Sequence, residues 1–148
     1  MDDRLLLLLH RASRSAVAYA NVALGARLGI SLPQLATLSL LSSRPDTTPS
    51  RIAKELDLNK SAVTSMVQRL ERAELIARSS NDGDGRSTLL HLREPGRRVR
   101  TKAAPVFEQV LSELTAGFTA AEIEVVLRFL NTTVERCGSA ARTEGAHG

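Results

Sequence analysis

Cysteine, aromatic residues and long apolar runs are all scarce in this sequence, and each scarcity removes a class of protein. The single cysteine, Cys137, excludes an internal disulfide and any multi-cysteine zinc site. Aromatic residues make up 3% of the chain and tryptophan is missing, which removes the stacking platforms that bind single-stranded nucleic acid. No apolar run approaches the roughly 18 residues of a membrane helix. The all-leucine run, Leu5 to Leu9, follows Asp2 and Asp3, where a secretory signal has a basic start. A cytoplasmic chain without a membrane partner is therefore expected. His10, His91 and His147 lie far apart, with no carboxylate or cysteine cluster beside them and no Gly-rich phosphate loop elsewhere. Neither an enzyme, nor a metal site, nor a cofactor is expected from such a pattern.

What is present fits one ordinary globular domain: 148 residues, 43% hydrophobic and 24% charged. The net charge is +4, and its location matters more than its size. Between Arg44 and Arg100 there are twelve Arg or Lys and eight Asp or Glu, while the remainder of the chain balances. All the excess positive charge thus lies in the middle, where a polyanion docks. Arginine outnumbers lysine seventeen to three, a bias that suits phosphate and guanine and also follows from a GC-rich genome.

The order of elements is legible from caps and periodicity. Asp2 to about Leu28 reads as a helix that is apolar around most of its circumference, ended by Gly25 and Gly29. Ser31-Leu-Pro-Gln34 is a capping box that opens a second helix to about Ser42. Thr48 and Pro49 open a short third helix to about Leu56. Asn59 caps a fourth, in which Val63, Met66, Val67 and Leu70 mark one buried face, with Leu58 and Val63 as a hydrophobic staple. Leu75–Arg78 and Ser87–Leu92 read as two strands around a glycine-bearing hairpin loop. A long helix follows from about Pro95 to Ala116. The capping box Thr119-x-x-Glu122 then opens a last helix with Ile123, Val126, Leu127, Leu130 and Val134 turned inward.

Two short helices joined by a tight turn and followed by a hairpin make a winged helix-turn-helix. The fourth helix is its recognition helix, and the face opposite its apolar stripe carries Lys60, Ser61, Thr64, Ser65, Gln68, Arg69 and Arg72. Gln68 pairs bidentately with adenine, and the cations reach guanine or phosphate. Arg51, Lys54, Asn59 and Arg78 complete the DNA-binding set on the flanking segments. A solvated helix face is also polar; the preceding helix, the staple and the basic wing are what favour DNA.

The chain resembles the MarR family of bacterial transcriptional regulators. The resemblance runs through Ser31–Leu35, Ser50–Leu56 and Val63–Arg72 to the wing, where the family pattern falls on Arg78, Asp84, Arg86, Leu90, Leu92 and Gly96. It implies that Arg86 enters the minor groove at the wing tip and that Asp84 supports the wing. There are departures: Asn81-Asp82 replaces the usual Asp-Pro, Arg93 stands where a Thr would cap the long helix, and Glu74 takes the place of a turn glycine. If that site needs positive φ, about 1 kcal/mol of strain is stored there.

The expected fold is mainly α with a small β-hairpin: a DNA-binding lobe over 31–93, dimerisation helices over 1–30 and 94–137, and a frayed tail over 138–148. Leu5–Leu9, Val106, Phe107, Val110, Leu111, Leu114 and Phe118 add more apolar surface than one small lobe can cover. A second copy is the expected partner, and the resemblance implies the same homodimer on a pseudo-palindromic operator. It also implies repression relieved by a small aromatic or phenolic effector, for which His10, Arg14 and Tyr19 on the first helix are the candidate contacts. Two other functions remain open on sequence alone: a winged-helix protein–protein interaction module and a sequence-neutral architectural DNA binder. Cys137 reads as an inert small residue, since the redox-sensing members of the family carry their cysteine near the first helix.

Overall fold

The computed structural model describes residues 2–80 and 88–145, with side chains through Gly138. In chain order the elements are α1 (Leu5–Leu28), α2 (Leu32–Ser43), α3 (Pro49–Glu55), α4 (Lys60–Arg72), β1 (Ile76–Ser80), β2 (Thr88–Leu92), α5 (Glu94–Leu114) and α6 (Ala120–Gly145). They divide into two units, Met1–Val110 and Leu111–Gly148. The first takes in α1 and most of α5 together with the winged segment.

The caps explain where the helices begin. Gln34 N donates to Ser31 Oγ while Ser31 N donates to Gln34 Oε1, so both backbone donors at the start of α2 are satisfied. Thr48 Oγ1 accepts from Arg51 N to open α3, and Asn59 Oδ1 accepts from Ala62 N to open α4. Gly29 ends α1 in the left-handed conformation, at φ 66, whereas Gly25 stays inside the helix. The expectation that both glycines break α1 is thus corrected. A single glycine costs a helix only about 1 kcal/mol, which tertiary packing readily outweighs.

The turns after α3 and α4 are built alike. Leu58 N donates to Ala53 O across Asp57, and Leu75 N donates to Leu70 O across Glu74. Both are Schellman closures with an acidic residue, at φ 53 and φ 59, in the place that glycine favours. The sharp turn between α3 and α4 is therefore fixed by backbone hydrogen bonds.

In the first unit one core joins these pieces. Leu24 from α1, Leu38 from α2, Ile52 from α3, Val63, Val67 and Leu70 from α4, Ile76 and Leu90 from the hairpin, and Ala103 from α5 are all buried together. The hairpin is antiparallel, with Ile76 opposite Leu92 and Ser80 opposite Thr88. A third short piece joins it: Thr47 bridges to Leu90, whose N–H donates to Thr47 O at 2.8 Å. This bridge ties the far edge of β2 to the turn between α2 and α3.

The second unit holds the end of α5 and α6, which Thr119 and Glu122 open as expected. α6 runs on to Gly145, beyond the frayed tail expected from Gly138. Ala140, Ala141 and Arg142 are strong helix formers, which carries the helix past one glycine. The stripe expected to face inward is not buried within the chain: Val126, Leu127, Leu130 and Val134 are exposed, as are Val125 and Phe129. The same holds for Leu5–Leu8 on α1, where only Ala20 and Leu24 are fully buried. No single helix among the described residues is long and apolar enough to cross a membrane.

Candidate nucleic-acid interface

α4 is the most amphipathic element near the excess of positive charge. Its inward residues Val63, Met66, Val67 and Leu70 are buried, which forces the remaining positions outward. Lys60, Ser61, Thr64, Ser65, Gln68, Arg69 and Arg72 are all exposed on that outer side. Within this set, Lys60, Arg69 and Arg72 form no ion pair with any described residue. The small residues at the N-terminal end keep their hydroxyls tied back to the helix. Ser61 donates to Asn59 Oδ1, and Thr64 donates to Lys60 O. Their lone pairs remain available, and their short side chains let a ligand come close to the backbone. Asn59 is primarily the cap of the helix, its Oδ1 accepting from Ala62 N and from the Ser61 hydroxyl.

The flanking cations differ in their commitments. Lys54 lies exposed on α3. Arg51 pairs with Glu55 at 3.3 Å, and Glu55 also meets Arg44 at 3.4 Å. Arg78, on β1, donates through Nε to Glu71 Oε1 at 2.6 Å and so links the hairpin to the end of α4. Exposed pairs of this kind contribute about 0.2–1 kcal/mol, which leaves a phosphate able to compete for the arginine. Asp84 and Arg86, expected at the wing tip, lie outside the described residues, as do Asn81 and Asp82.

The candidates on α1 do not make one constellation. His10 and Arg14 stand one turn apart on an exposed face. Tyr19 lies about two and a half turns beyond His10, which puts it on the opposite side of the helix. A cavity of about 320 Å³ lies instead against α4, between Pro33 and Gln34 of α2 and Ala62, Ser65, Met66 and Arg69 of α4. A second, of about 300 Å³, sits over the α2–α3 turn and is lined by Arg44, Asp46, Thr48 and Arg51. Among the described residues no group of three or more metal-ligating side chains occurs.

One cluster went unread in the sequence. His91, on β2, meets Asp46 Oδ1 through Nδ1 at 2.8 Å and Ser79 Oγ through Nε2. The three residues come from the α2–α3 turn, β2 and β1, in a row across the open face of the small sheet. The alternation of β2 carried the signal: Leu90 and Leu92 are buried, so His91 must face outward. What the sequence lacked was the Thr47 bridge that brings Asp46 alongside. The connectivity is that of a hydrolytic triad, but neither cavity is lined by Ser79 or His91.

Comparison with known proteins agrees with this geometry. Residues 30–88 match the MarR family. The organic hydroperoxide resistance transcriptional regulator of Bacillus subtilis is 30% identical over 106 residues, covering 72% of this chain and 71% of that one. Among solved structures, a mutant MarR from E. coli complexed with operator DNA superposes with a TM-score of 0.81 at 25% identity, over 89% of this chain and 94% of that one. BpsR of Bordetella bronchiseptica, whose DNA binding is regulated by 6-hydroxynicotinic acid, gives a TM-score of 0.81 at 22% identity, over 88% and 93%.

Proposed function

The chain belongs to the MarR family of transcriptional regulators, and from that premise we propose that it is a homodimeric repressor that reads a pseudo-palindromic operator and is released by a small molecule. The observation that carries the reading is the outer side of α4. Its buried stripe turns Lys60, Thr64, Gln68 and Arg72 outward together, beside a hairpin that carries Arg78 and Arg86 in its sequence. In each half-site α4 enters the major groove, where Gln68 and Lys60 meet base edges and Arg69 and Arg72 meet phosphate or guanine. Ser61, Ser65 and Asn59 allow close backbone approach at the start of the helix. Arg51, Lys54 and Arg78 add phosphate contacts, and Arg86 reaches the adjoining minor groove, with Asp84 as its support.

Two subunits are needed for such a site, and each unit of the chain supports a dimer in its own way. Leu6 and Leu7 on α1, and Leu127 and Val134 on α6, are large apolar side chains left exposed. Several large exposed apolar side chains on one helix are the kind of surface that a partner covers. The effector is proposed to be a small aromatic or phenolic acid in contact with His10 and Arg14. BpsR, regulated by an aromatic acid, is the precedent for the class.

The test is retardation of duplex DNA across a salt titration. Binding that weakens steeply with salt and is strongest on one sequence supports the reading. Absence of binding at low salt leaves a protein–protein module, and equal binding to all sequences an architectural protein. Aromatic carboxylates should then weaken the complex, and His10→Ala with Arg14→Ala should blunt that effect.

A further inference from the structure

We infer that His91 is the positioning residue of the wing, a proton-dependent tether that holds the root of the hairpin against the helix-turn-helix. The inference rests on the DNA-binding reading and assigns a role to a row of residues outside the contact surface. β1 and β2 form the root of the hairpin, and the tether acts on that root through β2. Two links hold its far edge to the turn between α2 and α3: Leu90 N donates to Thr47 O, and His91 Nδ1 meets Asp46 Oδ1. That turn leads straight into α3 and so into the helix pair.

The chemistry of the row fixes the tautomer. An ionised carboxylate only accepts, so His91 Nδ1 must carry hydrogen. In the neutral imidazole Nε2 is then the acceptor, and the Ser79 hydroxyl donates to it. On protonation both ring nitrogens donate, the Ser79 hydroxyl turns to accept, and the Asp46 contact becomes ionic. The row accommodates both states without losing a hydrogen bond, and the protonated state is the tighter one. Asp46 itself sits at φ 63, so its side chain is delivered by a turn that asparagine and aspartate tolerate and most residues do not.

The charged groups around the imidazole are of both signs. From the α2–α3 turn it faces Asp46. Arg44 and Arg51, which line the cleft next to Asp46, are both engaged with Glu55. From β1 it faces Ser79, while Arg78 is directed to Glu71. Arg93, past the end of β2, lies 3.8 Å from Glu74. The acidic partner in direct contact is thus Asp46, while Arg44 and Arg51 share the single carboxylate of Glu55. Imidazole is the one side chain type that commonly gains or loses a proton near neutral pH, so the tether is tested between about pH 8 and pH 6.

Two readouts test this on the full chain. The first is the protection of the Leu90 amide against hydrogen exchange, corrected for intrinsic rates and measured without DNA. The second is affinity for a labelled duplex selected from a random-sequence library. In the wild type, lowering the pH from 8 to 6 should raise both by roughly twofold to fivefold, the range of a partly exposed ion pair. Asp46→Asn keeps an acceptor for Nδ1–H, so it should match the wild type in Leu90 protection at pH 8 and fail to gain at pH 6. His91→Ala should lose protection at both pH values and show no pH dependence that His91 supplies, whatever His10 and His147 contribute to duplex affinity. A wild-type amide indifferent to pH, or variants that keep its pH response, would overturn the tether. Duplex binding that is normal and identical in all three proteins would overturn the positioning role while leaving the DNA reading intact. Failure of the wild type to select or bind any duplex would overturn both.

Discussion

Glu74 holds φ 59 at the end of α4, in a Schellman turn whose hydrogen bonds from Leu75 N to Leu70 O and from Glu74 N to Glu71 O leave it no alternative. A side chain in the left-handed region costs about 1 kcal/mol, which glycine avoids. Glu74→Gly should therefore raise stability by at most about 0.6 kcal/mol, after the roughly 0.4–1 kcal/mol cost of glycine's greater freedom in the unfolded chain is subtracted. A rise in the denaturation midpoint at constant m-value would show it; a fall would mean that the Arg93 contact outweighs the strain. Gly96 presents the reverse case. A Cβ there would lie 2.3 Å from Leu75 O and 2.7 Å from Leu92 Cδ1, and Leu75 O already accepts from Arg93 N. Gly96→Ala should cost about 1–3 kcal/mol, as overpacking does, and the same midpoint would register it. Glu74 was marked in the sequence as a place where positive φ would store strain, because the family pattern has a turn glycine there. Its φ of 59 meets that condition. The left-handed conformations of Asp46 and Asp57 were not marked, since Asp is at home in turns of every kind.

Elements were legible where local chemistry decides them. Ser31, Thr48, Asn59 and Thr119 each open the helix they were expected to open, because a cap acts on backbone groups a few residues away. The third piece of the sheet escaped notice because the pairing of Thr47 with Leu90 is long-range and leaves no mark in a short window. At the start of α6 a local device also makes a pH prediction. Glu122 accepts from the Thr119 backbone N–H and from its hydroxyl, which holds the carboxyl below its ordinary value of 4.5. The cap is therefore fully present above 4.5 and is lost as pH falls through the lowered value. The Thr119 amide shift in an NMR titration should turn over below 4.5 and stay flat in Glu122→Gln. A midpoint at or above 4.5 would contradict the cap.

For the whole molecule, the apolar positions were legible and their destination was not. Periodicity marked Val126, Leu127, Leu130 and Val134 as one stripe, but periodicity cannot say whether the covering surface belongs to the same chain. Leu127 is 53% exposed, so a charge placed there meets water in the single chain and apolar surface in a dimer. Leu127→Glu should convert a dimer into folded monomers in sedimentation, with helicity retained. A wild type that is monomeric at micromolar concentration would remove the two-fold arrangement. The same distinction between fold and partner governs the DNA surface, since burying Val63, Met66, Val67 and Leu70 requires a polar outer side whether or not it reads anything. The measurement that bears on this most directly is the affinity of wild type, Gln68→Ala and Arg86→Ala for a selected site and for unrelated duplex, each across a salt titration. Gln68→Ala should lose roughly 1–3 kcal/mol on the selected site and little on unrelated duplex. Arg86→Ala should weaken both and flatten the log–log salt dependence by about 0.9 for each phosphate that is no longer neutralised. Three superimposable sets of curves would mean that these side chains only face solvent, and the assignment of α4 and the wing as the reading surface would fall.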